Sequence, residues 1–197
     1  MNIEPVTLQG TRVRLEPLSF QHHSRLCEIG LDDELWRWTV TNISTAEQMR
    51  DYIEDALKQQ SEGTALPFAT IDMATDLAIG STRFGNIDLT NRRAEIGWTW
   101  VARQWQRTPA NTEAKYLMLR HAFETLGMIR VELKTDSLNE KSRNAILRIG
   151  AKEEGVFRNH MITASGRIRH SAWFSIIDSE WPQIKQSLEE KLSLGAR

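Results

Sequence analysis

The chain has 197 residues, 40% of them hydrophobic and 26% charged, a balance that supports a buried core under a solvated face and excludes disorder and fibrous repeats. Its 25 Lys and Arg against 26 Asp and Glu leave a formal charge of −1, so no global attraction draws it to nucleic acid or to an anionic membrane. The single cysteine, Cys27, and the lack of any Cys/His cluster at zinc spacing exclude a disulfide scaffold and a structural metal site. Met1 to Gly10 lacks a signal-peptide pattern, and nowhere do about 18 apolar residues run together. The expectation is one domain over residues 1–197, cytoplasmic, with no metal, nucleic-acid or membrane partner.

In chain order, Arg12 to Leu18 alternates in polarity and reads as a half-buried strand. Ser44-x-x-Glu47 has the form of a capping box, and Met49, Tyr52, Ile53, Ala56 and Leu57 follow at helical spacing, which predicts a helix to about Ser61. Leu66–Met73, Leu77–Ile87 and Ala94–Val101 are strand-like runs with short connections, the pattern of an antiparallel meander. Ala110 to Leu126 is rich in helix formers and stops at Gly127. Ile129, Val131 and Leu133 then alternate with charged residues, completing a strand–helix–strand crossover with parallel strands. A second cap, Ser137-x-x-Glu140, predicts a shorter helix ending at Gly150. Lys152–His160 and Ile168–Ile177 form a hairpin through Ala164-Ser165-Gly166, and Ile184, Leu188 and Leu192 mark a final helix. The fold class is α/β with a mixed sheet.

Charge is unevenly spread along this order. Glu28 to Glu62 carries nine acidic residues against three basic, whereas Asn91–Arg120 and Glu140–Arg169 are each net +4. Such runs are ordinarily solvated faces, but here the positive excess coincides with the crossover, where a helix N-terminus adds backbone donors and a positive dipole end. The segment Gln104 to Thr112 enters that helix. Its amides from Arg107 to Thr112 suit a diphosphate, with Arg107 adding charge and Thr108 or Thr112 a hydroxyl. The plainer alternative is a helix cap with Thr108 as N-cap and Pro109 at the first helical position.

Glu95-Ile96-Gly97-Trp98-Thr99-Trp100, then Gln106-x-x-Pro109-x-Asn111-Thr112-Glu113-Ala114-Lys115, Leu126-Gly127, Arg130-Val131-Glu132-Leu133-Lys134-Thr135 and Asn139-x-x-Ser142-Arg143 together resemble the GNAT superfamily of acyl-CoA N-acyltransferases. The likeness is to the ribosomal-protein N-terminal acetyltransferase (RimJ/RimL) type and runs from Thr11 to Trp181. It implies a mostly antiparallel sheet with one splayed parallel pair, Glu95–Val101 and Ile129–Thr135. It also implies acetyl-CoA as co-substrate and direct attack of a primary amine on the thioester. The diphosphate would lie on Gln106, Arg107, Thr108, Ala110, Asn111 and Thr112, although Pro109 and Asn111 stand where the family has small residues. Backbone groups of Thr99, Trp100, Val101 and Ala102 would hold the pantetheine arm, and Asn139 would bond it.

For the base, the resemblance points to Glu95, against which stands a salt bridge to Arg92 or Arg93. His160 is the rival on the strength of its ordinary pKa. Many family members protonate the leaving thiolate with a Tyr that falls here on Ile146, so Ser142 is the candidate in its place. At the acceptor end the acidic run would welcome a cationic amine, and Trp36 and Trp38 would wall the cleft. The acceptor is expected to be a small-molecule or peptide amine. A CoA-binding sensor of the same fold without turnover is the alternative function, and the hairpin from Arg158 to Arg169 is a candidate homodimer surface.

Overall fold

The computed structural model describes residues 3–194. Eight strands form one sheet: β1 (Leu8–Gln9), β2 (Val13–Pro17), β3 (Leu66–Asp72), β4 (Leu77–Asp88), β5 (Arg93–Val101), β6 (Arg130–Asp136), β7 (Lys152–Ile162) and β8 (Ile168–Ile177). Their order is β1-β2-β3-β4-β5-β6-β8-β7, antiparallel at every junction except the parallel β5–β6 pair. The meander, the crossover and the closing hairpin therefore stand where alternation placed them. The hairpin leaves Val156, Phe157, Ile162 and Ile168 exposed.

Helices α1 (His23–Gly30), α2 (Asp33–Trp36) and α3 (Ala46–Ser61) cover one face of the sheet, and α4 (Ala110–Arg120), α5 (Glu140–Arg148) and α6 (Trp181–Leu194) cover the other. Alternating strand side chains feed two separate cores. Leu66, Phe84, Ile96, Leu133 and Phe174 pack under α4 with Leu117 and Met118, while Ala69, Ile71 and Trp100 pack under α1 and α3 with Leu26, Met49 and Ile53. The core under these first helices ends at β5 with Trp98 and Trp100, and no residue of β6, β8 or β7 belongs to it.

Both predicted capping boxes shift. The N-cap of α3 is Thr45, whose hydroxyl accepts from the Gln48 amide at 3.2 Å, and Gln48 in turn accepts from the Ser44 amide. A Gln at the third helical position thus does what Glu47 was expected to do. Helix α5 is capped by Asn139, which accepts from the Ser142 amide at 3.1 Å, rather than by Ser137. Helix α4 gives way at His121 to a π-helical turn that runs to Thr125, and Gly127 ends it at φ 57°.

Glu113 fastens α4 to the start of β2. Its carboxylate accepts from the Thr11, Arg12 and Val13 amides at 3.2, 2.7 and 2.7 Å and from the Thr11 hydroxyl at 2.7 Å. Composition presented this residue only as a helix former.

Candidate active site

Strands β5 and β6 pair over three positions only, Arg93 with Arg130, Ala94 with Val131 and Glu95 with Glu132. Beyond Glu95 they part, although both continue for several residues. The cause lies on the other edge of β5, where Gly97 opposes Arg83 and Trp100 opposes Ser81, so Trp98 and Thr99 share a single partner on β4. This bulge places Trp98 at φ 50°, a left-handed conformation costly for a bulky residue, and turns the strand away from β6.

Trp98 is held there by a layer that crosses the sheet. The Arg83 guanidinium lies 5.0 Å from both the Tyr52 and the Trp98 rings, Lys134 Nζ lies 6.0 Å from Trp98 and 5.0 Å from Trp173, and Trp173 stacks on Phe157 at 4.8 Å. Cation and ring alternate across four strands, and the Phe157 ring closes the row on β7. Gly85 makes room for it, since a Cβ there would sit 2.3 Å from Trp98 Cζ3.

At the mouth of the gap, the loop before α4 turns through Arg107 at φ 63°. Among the described residues no intramolecular acceptor takes the amides of Arg107, Thr108, Asn111 or Thr112, and the Arg107 guanidinium has no partner. Four free donors and a cation on a helix N-terminus fit a diphosphate. Arg148, on α5, extends the positive charge by donating to Thr112 Oγ1 at 3.3 Å. Several expectations change in detail. Thr108 Oγ1 donates to the Trp105 carbonyl and accepts from the Ala110 amide, so its hydroxyl serves the loop and not a ligand. Gln106 donates to the Val101 carbonyl at 3.2 Å, and the Ala102 amide is already given to the Ile79 carbonyl at 2.8 Å, which removes Ala102 N–H from the set available to an arm. Trp100 is buried against Trp36, with centroids 5.4 Å apart.

Under α4, Lys115 is buried and donates to Thr99 Oγ1 on β5 at 2.6 Å, with Thr82 Oγ1 on β4 at 3.4 Å. No carboxylate bonds it. Burial pushes its pKa down to about 7, opposed only by the field of Glu95. Sequence reading missed Lys115 and Arg148. A clue to the first was available: Lys115 falls between Thr112 and Leu119 on the inward side of α4.

Glu95 is buried, and its Oε2 accepts from Lys134 Nζ and from Asn86 Nδ2, each at 2.8 Å. The expected alternative of a bridge to Arg92 or Arg93 does not form. Arg92 donates to the Gly127 carbonyl, and Arg93 pairs with Asp88 and Glu132. Glu95 Oε1 accepts no hydrogen bond among the described residues. His160 Nδ1 lies 3.0 Å from Ser171 Oγ, which also accepts from Arg169 Nε at 3.2 Å. Desolvation, with Lys134 and Arg169 nearby, moves the His160 pKa below the ordinary imidazole value, so the ring is neutral at pH 7. The bond with Ser171 occupies His160 Nδ1 in either tautomer, as acceptor from the serine hydroxyl or as donor to it.

On α5, Asn139 Oδ1 is committed to the cap, leaving its Nδ2 for other partners, and the Ser142 hydroxyl is half-buried without a bond. Ile146 is buried, as a packing residue. Trp36 is not a wall of the cleft: it is a core residue whose indole donates to the Gly30 carbonyl at 2.7 Å. Trp38 stays half-buried, with Arg37 and Arg167 over its ring at 5.1 and 5.6 Å. No group of His, Cys, Asp and Glu suited to hold a metal occurs among the described residues, and no helix among them is long and apolar enough to cross a membrane.

A mixed sheet that opens beside a donor-rich helix start suits a ligand with an anionic head and an extended arm. The family model described as "Acetyltransferase (GNAT) domain" matches residues 12–152. The protein named "Uncharacterized N-acetyltransferase p20" of Bacillus licheniformis is 29% identical over 176 residues, covering 89% of this chain and 98% of that protein. A GCN5-related N-acetyltransferase of Brucella melitensis is 34% identical, with a TM-score of 0.89 over 96% of this chain and 86% of that one. RimJ of Mycobacterium smegmatis, solved in complex with CoA-disulfide, shares the fold at a TM-score of 0.84 over 95% of each chain, with 23% identity. The chain belongs to the GNAT family and is an N-acetyltransferase.

Proposed function

We propose that the protein transfers an acetyl group from acetyl-CoA to a primary amine, such as a protein N-terminus, and that it does so as a relative of the ribosomal-protein acetyltransferases. The observation that carries this reading is the three-residue β5–β6 pairing, which opens directly beside four unclaimed loop amides. Acetyl-CoA brings a thioester that accepts an amine at its carbonyl carbon and releases a thiol. Arg107, its neighbouring amides and Arg148 hold the diphosphate; Thr99 to Val101 and the Asn139 amide group orient the arm. An acceptor amine with a pKa of about 8–10 must lose a proton before it attacks. Glu95 Oε1 takes that proton, while Lys134 and Asn86 fix the carboxylate through its other oxygen. The Ser142 hydroxyl returns one to the departing thiolate.

The single domain, the cytoplasmic location and the absence of a metal belong to the same proposal. A sensor without turnover is the less favoured reading, because the relatives are N-acetyltransferases by name. Thiol release from acetyl-CoA with a panel of peptide and small amines tests the proposal. Amine-dependent release is expected, with Glu95→Gln lowering kcat by roughly 10²-fold or more and leaving CoA affinity near that of the wild type. No heat on titration with CoA at millimolar concentration would refute it.

A further inference from the structure

Strands β7 and β8 lose register twice, first between Glu153 and Gly155 and again between Phe157 and Met161. Phe157 opposes Ser171 and Met161 opposes Arg169, so Arg158, Asn159 and His160 bulge opposite His170 alone, with Asn159 at φ 50°. The bulge rims a broad cavity of about 730 Å³ lined by Phe157, Arg158, Asn159, His160 and His170. Its lining holds no carboxylate. His170 Nδ1 accepts the Asn159 amide at 2.8 Å, which leaves Nε2 as the nitrogen of that ring able to donate. The His170 ring donor and the Arg158 guanidinium thus belong to residues that line one cavity.

Behind it lies a second unmatched cation. Arg169 is 7% exposed and donates only to neutral acceptors, Ser171 Oγ at 3.2 Å and the Trp38 carbonyl at 3.4 Å. The carboxylates that act on it at a distance are bonded elsewhere, Asp136 to Arg167 and Glu95 to Lys134. A buried guanidinium without a carboxylate is unfavourable unless an anion completes it. The cavity also adjoins the reacting face: the His160 ring meets Trp173 at 5.6 Å, and Lys134 Nζ, the partner of Glu95, lies 5.0 Å from Trp173.

We propose that this cavity receives a carboxylate carried by the acceptor itself, so that the preferred acceptor is an amine bearing its own acidic group. The proposal rests on the transferase reading above. It replaces the expectation of an acceptor attracted only through a cationic amine, because the unmatched charge on this side of the sheet is positive.

Matched acceptors test it: phenylalanine against phenethylamine, and peptides with Asp against Asn as second residue, each followed by thiol release at saturating acetyl-CoA. The acidic member is expected to have a kcat/KM at least about tenfold higher in one or both pairs. The pair that responds tells a free amino acid from an acidic peptide. The preference should collapse in Arg158→Gln and reverse in Arg158→Glu, substitutions at an exposed residue with no bonded partner to lose. Equal rates within both pairs, or a preference unmoved by both substitutions, overturns the proposal. If no amine releases thiol, the transferase reading has failed, and the cavity is then tested alone: N-acetylphenylalanine should shift the ring resonances of His160 and His170, and N-acetylphenethylamine should not. Rings that respond equally to both compounds, or to neither, overturn it there.

Discussion

The buried amine of Lys115 makes stability depend on alkaline pH in a way that a single substitution exposes. Burial holds Lys115 at about 7 against an ordinary 10.5, and at about 1.36 kcal/mol per pH unit the gap amounts to about 5 kcal/mol. The unfolded chain keeps this proton up to about pH 10.5 and the folded chain only up to about pH 7. Across that window the unfolded state binds more protons, so the Lys115 contribution to stability rises with pH; below pH 7 it is flat. Lys115→Met removes the titrating group while nearly conserving its length, at the loss of the 2.6 Å bond to Thr99, worth about 1 kcal/mol. The variant is therefore expected to be more stable than the wild type by about 3 kcal/mol at pH 7. Its advantage should shrink steadily and vanish near pH 10. Urea unfolding of both proteins at pH 6, 7, 8, 9 and 10 measures the difference. A difference that does not change with pH, or a variant less stable at pH 7, refutes the account of Lys115 as a desolvated, unpaired amine.

Two further substitutions probe the supports of the site. Glu113→Ala strips an acceptor from three backbone amides and a hydroxyl at the start of β2; a loss of about 3 kcal/mol is expected in urea unfolding, and a loss under about 1 kcal/mol would show that water replaces the carboxylate at little cost. Gly85→Ala drives a Cβ into the Trp98 ring, so the ring must leave Arg83. A cost of about 1–3 kcal/mol is expected, together with a changed near-ultraviolet circular dichroism signal; an unchanged signal would place the strain elsewhere.

Local chemistry along the chain determined the architecture. Alternation marked the meander and the hairpin, helix formers ending at Gly127 marked the crossover, and motif order from Glu95 to Arg143 pointed to the family, because these signals depend on residues a few positions apart. The loop from Arg107 to Thr112 was singled out for the same reason. What only the tertiary structure decided are pairings across long separations. Glu95 meets Lys134 instead of its neighbours Arg92 and Arg93, Trp36 sinks into the core against Trp100, and Arg148 reaches Thr112. The bulges at Trp98 and at Arg158–His160 were likewise invisible, since register belongs to two strands at once and no single strand encodes it. Lys115 shows the same division: its position on α4 follows from helical period, but its desolvation follows from the sheet that closes over it.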